Sequence, residues 1–379
     1  MQKIFELKQA YLKARKNKRW KYNTKQFSLH LEKSCQLLRD KIKNRDYKIK
    51  TSLCFINQLP IKREIFAGDF SDRVIHHLLF QKLNPYYDPL LINDCYSCRK
   101  NKGTSSGIER TKYFMRSVSE NYCKKAFVLK LDIKGYFMSI DRQTLYKQNL
   151  RLISQIYKKE AQEKDEILYL LKKVIFNDPT KNCRIRGNIK NWQGLPKNKS
   201  LFYAKAGKGL PIGNLSSQLF ANIYLNKFDH FIKRQLKCHL YGRYVDDMIF
   251  FHQDKEYLKN LIPQISKYLK NNLGLELHEK KIYLQEINHG VQFLGAIIKP
   301  GRIYPSSRIT KNFFNCLKKA SLGKASIEQI NSYLGMLKQY NSYNLRKKYL
   351  NTYIGQTALK KLEAEINDDY TKIKRVIPF

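Results

Sequence analysis

Leu240-Tyr-Gly-Arg-Tyr-Val-Asp-Asp-Met-Ile-Phe-Phe251 sets two adjacent carboxylates, Asp246 and Asp247, between two short apolar and aromatic arms. Arms of that length and composition read as β-strands, with the acidic pair at the tight turn that joins them. Like charges on a hairpin tip oppose folding, because they repel and lose solvent. A divalent cation held between them and an incoming phosphate reverses that balance. An isolated Asp-Asp turn is otherwise a solvated surface feature, so the rest of the chain has to decide.

A third carboxylate stands upstream. Phe127-Val-Leu-Lys-Leu-Asp-Ile-Lys-Gly-Tyr-Phe137 reads as a buried strand ending in Asp132 and running into a glycine turn. Alone, such an Asp is a cap. With Asp246 and Asp247 it completes the oxygen donors that hold two Mg²⁺ ions about 3.5–4 Å apart for in-line nucleotidyl transfer. Carboxylates suit the task because Mg²⁺ is hard and prefers oxygen, and Mn²⁺ is an acceptable substitute.

Composition points to the partner. Across 379 residues, 73 Lys and Arg against 31 Asp and Glu leave a net charge of +42. A surplus of that size repels itself unless a polyanion is the working partner, and nucleic acid is the obvious one. The 26 Tyr and 20 Phe interleave with the basic residues, which suits stacking on bases as well as packing. Cysteines at 35, 54, 95, 98, 123, 183, 238 and 316 are scattered. Only Cys95 and Cys98 are closely spaced, without the second pair that zinc needs, so a reduced, zinc-free protein is expected. No stretch has transmembrane length and the first twenty residues lack an apolar signal core, which implies a cytoplasmic protein away from membranes.

Periodicity organises the chain. Residues 1–60 are lysine-rich with helical spacing (Ile4, Leu7, Tyr11, then Leu29, Leu37, Leu38) and form either a solvated amphipathic helix pair or a basic arm for RNA. Residues 142–170 read as helical, and 177–208 as a Gly/Asn/Pro/Lys-rich inserted loop. Residues 209–226 open with a turn and continue as an apolar helix, and 255–272 form another helix. Pro300-Gly301 marks a hairpin, and Ser326-Ile-Glu-Gln329 is a capping box ahead of Ile327, Ile330, Leu334 and Leu337. The whole reads as α+β: a palm with helical appendages.

In that order and spacing, Lys130-Leu-Asp-Ile-Lys-Gly-Tyr-Phe137, Gly209-Leu-Pro-Ile-Gly-Asn-Leu-Ser-Ser-Gln218, Tyr244-Val-Asp-Asp247 and Phe293-Leu-Gly295 resemble the sequence blocks of reverse transcriptases. The resemblance runs from about Arg63 to Tyr304. It implies a right-hand polymerase with N-terminal extension and fingers at 1–125 and an antiparallel-sheet palm at 126–304. A fingers or insertion segment lies within the palm at about 142–208, and a helical thumb at 305–379. It makes Asp132, Asp246 and Asp247 the metal ligands, assisted by the Ile133 carbonyl. Phe137 falls at the steric-gate position that excludes a ribose 2′-hydroxyl. Arg63 and Arg99 match finger positions that face either the incoming triphosphate or a template phosphate. Lys280 or Lys281 is the palm lysine near the pyrophosphate, and Phe293-Leu294-Gly295 the primer grip.

The block around residue 212 narrows the resemblance. Many reverse transcriptases carry Gln-Gly-x-x-x-Ser-Pro there, whereas this chain has Ile212-Gly213-Asn-Leu-Ser-Ser-Gln218. Together with Arg63–His77 and Asn198–Phe202, this is similar to the enzymes of diversity-generating retroelements. Such an enzyme, with deoxynucleoside triphosphates and a primer, copies a template-repeat RNA into cDNA with errors at adenines. It works with a small basic, oligomeric accessory protein. Ile212 offers shape without a hydrogen-bonding check, which weakens discrimination. Retron, phage-defence and group II intron-like reverse transcriptases are the neighbouring alternatives, and an RNA-binding scaffold with a dead polymerase site is the non-enzymatic one.

Overall fold

The computed structural model describes residues 2–58, 61–354 and 364–375. In chain order the main elements begin with helices α1 (Gln2–Arg15), α2 (Tyr22–Leu29) and α3 (Leu31–Lys43). Strands β1 (Ser52–Asn57) and β2 (Arg63–Ala67), helices α4 (Phe70–Tyr87) and α5 (Thr104–Val118) and strand β3 (Phe127–Asp132) follow. Next come α6 (Tyr136–Ser139), α7 (Arg142–Ile156), α8 (Ala161–Phe176), β4 (Cys183–Ile185), α9 (Leu215–Tyr224) and α10 (Asn226–His230). The hairpin strands β5 (Tyr241–Tyr244) and β6 (Asp247–His252) precede α11 (Lys255–Tyr268). Strands β7 (Tyr283–Glu286), β8 (Val291–Phe293), β9 (Ala296–Lys299) and β10 (Arg302–Pro305) then lead to α12 (Ser307–Ser321), α13 (Ile327–Leu337) and α14 (Tyr343–Ile354). Short strands β11 (Ala364–Ile366) and β12 (Ile373–Arg375) close the chain.

Strands β5, β6, β3 and β7 form one sheet in that order. Its apolar residues are those of the continuous apolar runs: Val128, Leu129, Leu131 and Met248 to Phe251 are buried. The described chain divides into two compact units. One comprises Met1–Lys100, Lys130–Met248 and Asn260–Ile282, the other Asn101–Leu129, Ile249–Lys259 and Tyr283–Phe379.

In the first unit, α1 buries Leu7, Ala10, Tyr11 and Ala14 in a contact with α4. The N-terminal segment is three helices, where the spacing left open a helix pair or a basic arm, and Leu29 and Leu37 face solvent. The 177–208 segment also departs from a plain loop. Its strand β4 pairs parallel to β1, with Ser52 opposite Cys183, while β1 pairs antiparallel to β2. Glu64 on β2 is 1% exposed and fixes this segment. It accepts from Trp192 Nε1 at 2.8 Å, Ser200 Oγ at 2.7 Å and the Leu201 N–H at 2.6 Å. An apolar cluster of Cys54, Phe66, Met138 and Leu201 lies beside it, and Phe137, Trp192 and Ile212 pack on that cluster.

In the second unit, Phe293 pairs with Ala296, so Leu294 and Gly295 form a two-residue hairpin turn. Both have positive φ (51° and 84°), the backbone of a type I′ turn. The Ser326–Gln329 capping box is present with both of its reciprocal bonds. The helices expected at the C-terminal end are joined by the β11–β12 pair, which periodicity did not signal. Residues 355–363 and 376–379 of the expected thumb lie outside the described residues.

Glu64→Ala leaves three donors of the 177–208 segment without an acceptor in a buried place. It is expected to cost on the order of 2–4 kcal/mol in urea unfolding. Limited trypsin digestion should then cut first within residues 181–199. An unchanged cleavage map would show that Glu64 does not hold the segment.

Candidate active site

Asp132 closes β3 and Asp247 opens β6, its neighbour in the sheet. Strand pairing thus joins positions more than a hundred residues apart in the chain. Between β5 and β6, Val245 and Asp246 form the two-residue turn. Val245 has φ +57°, a left-handed conformation that a β-branched side chain adopts only when held there. Both of its peptide groups are held. Its N–H donates to Ser97 Oγ at 3.3 Å, and its carbonyl accepts from Arg243 Nη1 at 2.9 Å.

Arg243 is itself fixed. It is fully buried, and its Nε and Nη2 form a bidentate pair with Asp229 at 2.7 and 2.6 Å. Tyr241 donates its hydroxyl to the same carboxylate at 2.8 Å. A planar guanidinium fork matched to a carboxylate fixes direction as well as distance. Gly242 sits between the two because a Cβ there would stand 2.6 Å from the Tyr96 hydroxyl oxygen.

The electrostatics of the tip follow from this placement. Burial, then the charges of Asp247 and Asp132, push the Asp246 carboxyl up from 3.8 to about 7, against a smaller pull from its own backbone N–H and Lys281. Burial also raises Asp247, which Lys130 opposes and Asp132 reinforces. Two ammonium groups answer the crowded negative charge. Lys281 Nζ donates to Asp132 Oδ2 at 2.9 Å, and Lys130 Nζ lies 3.5 Å from Asp247 Oδ1. The structure thereby separates Lys281 from Lys280, which is exposed and touches no carboxylate among the described residues. Lys130 was not among the expected site residues. Its signal was the strand period, since residues two apart on β3 share a face with Asp132.

Ile133 bridges to Leu277 in a short antiparallel ladder. The flanking bonds use the Asp132 carbonyl and the Lys134 N–H, leaving the Ile133 carbonyl out of that ladder. Phe137 and Ile212 share one apolar cluster, and the Ile212 carbonyl accepts from Phe66 N–H at 2.8 Å. Gly213 permits this approach: its φ is +127°, and a Cβ would lie 2.7 Å from the Phe66 carbonyl oxygen. Gln218 is exposed and accepts from the Cys98 thiol at 3.1 Å. Arg63 is exposed at the start of β2.

Arg99 departs from its expected place facing a triphosphate. Its guanidinium bonds Asp88 at 2.7 and 3.2 Å and the carbonyls of Asp88, Ile92 and Cys95, so every nitrogen is engaged inside the protein. Phe293 is fully buried, which makes it packing beneath the Leu294-Gly295 turn.

A family model for reverse transcriptase (RNA-dependent DNA polymerase) matches residues 63–298 of the 379. The chain belongs to the reverse transcriptase family. Its fold, mixed helices with antiparallel sheets, is that of a right-hand polymerase. No curated protein matches it in sequence. Similar solved structures include telomerase from Candida albicans in complex with a TWJ fragment of telomeric RNA (14% identity, TM-score 0.46), covering 87% of this chain and 59% of that one. Apo telomerase from Candida tropicalis gives 14% identity and a TM-score of 0.47, covering 83% and 59%. The chain therefore spans about three fifths of the length of those telomerase chains.

Reverse transcriptases normally use divalent metal ions. Among the described residues, no three His, Cys, Asp or Glu side chains are already gathered tightly enough to hold one. The donor chemistry nonetheless fits: the site offers hard oxygen atoms only, and its raised carboxyls mark negative charge short of a cation. Lys130 and Lys281 meet part of that deficit. No helix among the described residues is long and apolar enough to cross a membrane.

A carboxyl raised from 3.8 to about 7 by folding binds its proton more tightly in the folded state. Its contribution to stability is complete below pH 3.8 and is lost as pH climbs through 7. Because Asp246 keeps some solvent contact, screening reduces the effect. In chelator-treated protein, Asp246→Asn should be more stable than wild type by about 1–3 kcal/mol at pH 8, with the gap narrowing toward pH 5. Urea titrations at the two pH values measure it. A gap that is constant with pH would show that the Asp246 charge carries no such cost.

Proposed function

We propose that the chain is an RNA-directed DNA polymerase of the diversity-generating type, copying a template-repeat RNA into cDNA with errors concentrated at adenines. The observation that carries the polymerase reading is the meeting of Asp132 with the Asp246–Asp247 tip across adjacent strands. In this reading Asp132, Asp246, Asp247 and the Ile133 carbonyl hold two Mg²⁺ ions. When bound, such ions would activate the 3′-hydroxyl and neutralise the charge of the triphosphate. Lys281, which donates to Asp132, is in this reading the proton donor for the departing pyrophosphate. Arg63 takes a triphosphate or template phosphate. The Leu294-Gly295 turn serves as the primer grip, with Phe293 packed beneath it.

Phe137 excludes a 2′-hydroxyl and so selects deoxynucleotides. The cluster that carries Phe137 also carries Ile212, which supports a common apolar wall for the nucleotide's sugar and its base pair. A wall of that kind reads shape and offers no hydrogen bond to penalise a wrong partner. Fingers at 1–125, palm at 126–304 including the 142–208 segment, and thumb at 305–379 make up the proposed hand. A small basic accessory protein is the proposed protein partner.

Primer extension on an RNA template with deoxynucleotides and Mg²⁺ tests the activity. Asp246→Ala or Asp247→Ala should lower the rate by at least on the order of 10²–10³, the scale of smaller electrostatic losses. Variant rates near wild type would remove the assignment, and an inactive wild type would favour a scaffold. For fidelity, Ile212→Gln is expected to reduce misincorporation opposite template adenine several-fold by cDNA sequencing. An unaltered error spectrum would return Ile212 to ordinary packing.

A further inference from the structure

Eight Lys and Arg side chains lie between Glu6 and Glu32, with no Asp or Glu among them. Elsewhere on α1, α3 and α4 several basic residues are answered. Lys3 and Arg39 pair with Glu166, Lys82 with Glu6 and Glu163, and Lys8 with Glu32. At the α1–α2 turn they are not. Lys13, Lys16, Lys18, Arg19, Lys21 and Lys25 form no ion pair among the described residues.

The turn is built, not merely charged. Asn17 takes φ +61°, and the N–H groups of Lys18 and Lys21 donate to the carbonyls of Arg15 and Lys18 at 2.9 and 3.1 Å. Arg15 is anchored through Nη1 to the Tyr11 hydroxyl at 2.8 Å. This frame holds Trp20 85% exposed and Tyr22 73% exposed. Lys25 Nζ stands 5.2 Å from the Trp20 ring centroid, a cation over an indole that is otherwise open to solvent.

Behind the turn, Lys18 is half-buried beside Arg73 of α4, and His77 one helical turn further on is within reach of Lys13, Lys18 and Arg73. Arg73 has Asp69 as a counter-charge, while Lys18 and His77 form no ion pair with a carboxylate among the described residues. Desolvation and these like charges depress Lys18 and carry His77 down to about 4. A concentration of positive charge that the protein itself leaves unanswered is suited to a phosphate.

We propose that the α1–α2 turn is a docking site for single-stranded RNA, with Trp20 and Tyr22 stacking on unpaired bases and Lys18, His77 and Lys25 holding the adjoining phosphates. Open ring faces among cations are the two parts that single-strand binders combine. A duplex offers its bases already stacked, so it does not use the rings. The turn's own cations form no ion pair among the described residues, and the nearby Asp69 is already engaged by Asn23, Lys50 and Ser71, which favours a polyanion over a protein surface. The site is separate in residues from the polymerase carboxylates, and its occupant need not be the strand being copied. The inference goes beyond the polymerase reading and does not rest on it.

The test is fluorescence and filter binding with full-length protein. The probes are an oligouridylate of about a dozen nucleotides and a blunt RNA duplex of similar length. Single-stranded RNA should quench tryptophan emission in wild type, and Trp20→Ala should abolish that quenching and weaken binding roughly 5- to 100-fold, with Trp20→Phe partly restoring affinity. Lys18→Gln should lower the log–log salt slope by about 0.7. Duplex affinity should not change with Trp20→Ala, and neither should extension of a pre-annealed primer, which confirms that the variant folds. Oligouridylate affinity equal in wild type and Trp20→Ala would overturn the inference, as would equal losses for single strand and duplex. Asp247→Asn, inactive in extension if the polymerase reading holds, should bind oligouridylate as wild type does, so the two readings fail separately.

Discussion

The fully buried Arg243–Asp229 pair is the interaction on which the site depends. Removing either partner would strand a charge in the core, while the matched pair mainly supplies direction. That direction reaches the Val245 carbonyl and, with Ser97 on the Val245 N–H, keeps a valine in a backbone region it would otherwise avoid. The turn then has one geometry, and Asp246 and Asp247 are presented together at the start of β6. A solvated Asp-Asp turn would have no need of such support.

Rigidity has an electrostatic consequence. Three carboxylates feel one another's charge where β3 and β6 adjoin, and among the described residues two ammonium groups pair with them. Lys281 reaches Asp132 and Lys130 reaches Asp247, leaving Asp246 with the strongest rise. The fold thus carries a local charge conflict in a prebuilt place, as expected where binding of cations and phosphate does the work. The same principle runs in the opposite sign at the α1–α2 turn, where cations are left unanswered.

Shape control is organised just as locally. Phe137 follows the Asp132 strand, Ile212 precedes Gly213, and the two converge only because both pack on Cys54, Phe66, Met138 and Leu201. Gly213 allows its backbone to approach β2, and Glu64 on that strand gathers Trp192, Ser200 and Leu201. One short strand therefore links the inserted segment to the wall bearing both apolar residues.

Much of this was legible in the chain. Short apolar and aromatic runs located β3, β5 and β6, the capping box located α13, and the Asp132 and Asp246–Asp247 blocks carried the family, because local patterns encode local structure. The exposure of Leu29 and Leu37 was not legible, since helical spacing says which residues share a face but not which face is covered. Lys281 and Lys280 were equivalent in sequence, and only the meeting of residue 281 with Asp132 separated them. Arg99 looked like a phosphate ligand until Asp88 claimed it, and neither Asp229 nor Glu64 stood out from any surface acid. Residue type and order set what chemistry was available. Long-range pairing alone decided which charges were spent on the fold and which were left for a ligand, because a charge's role depends on its neighbours in space.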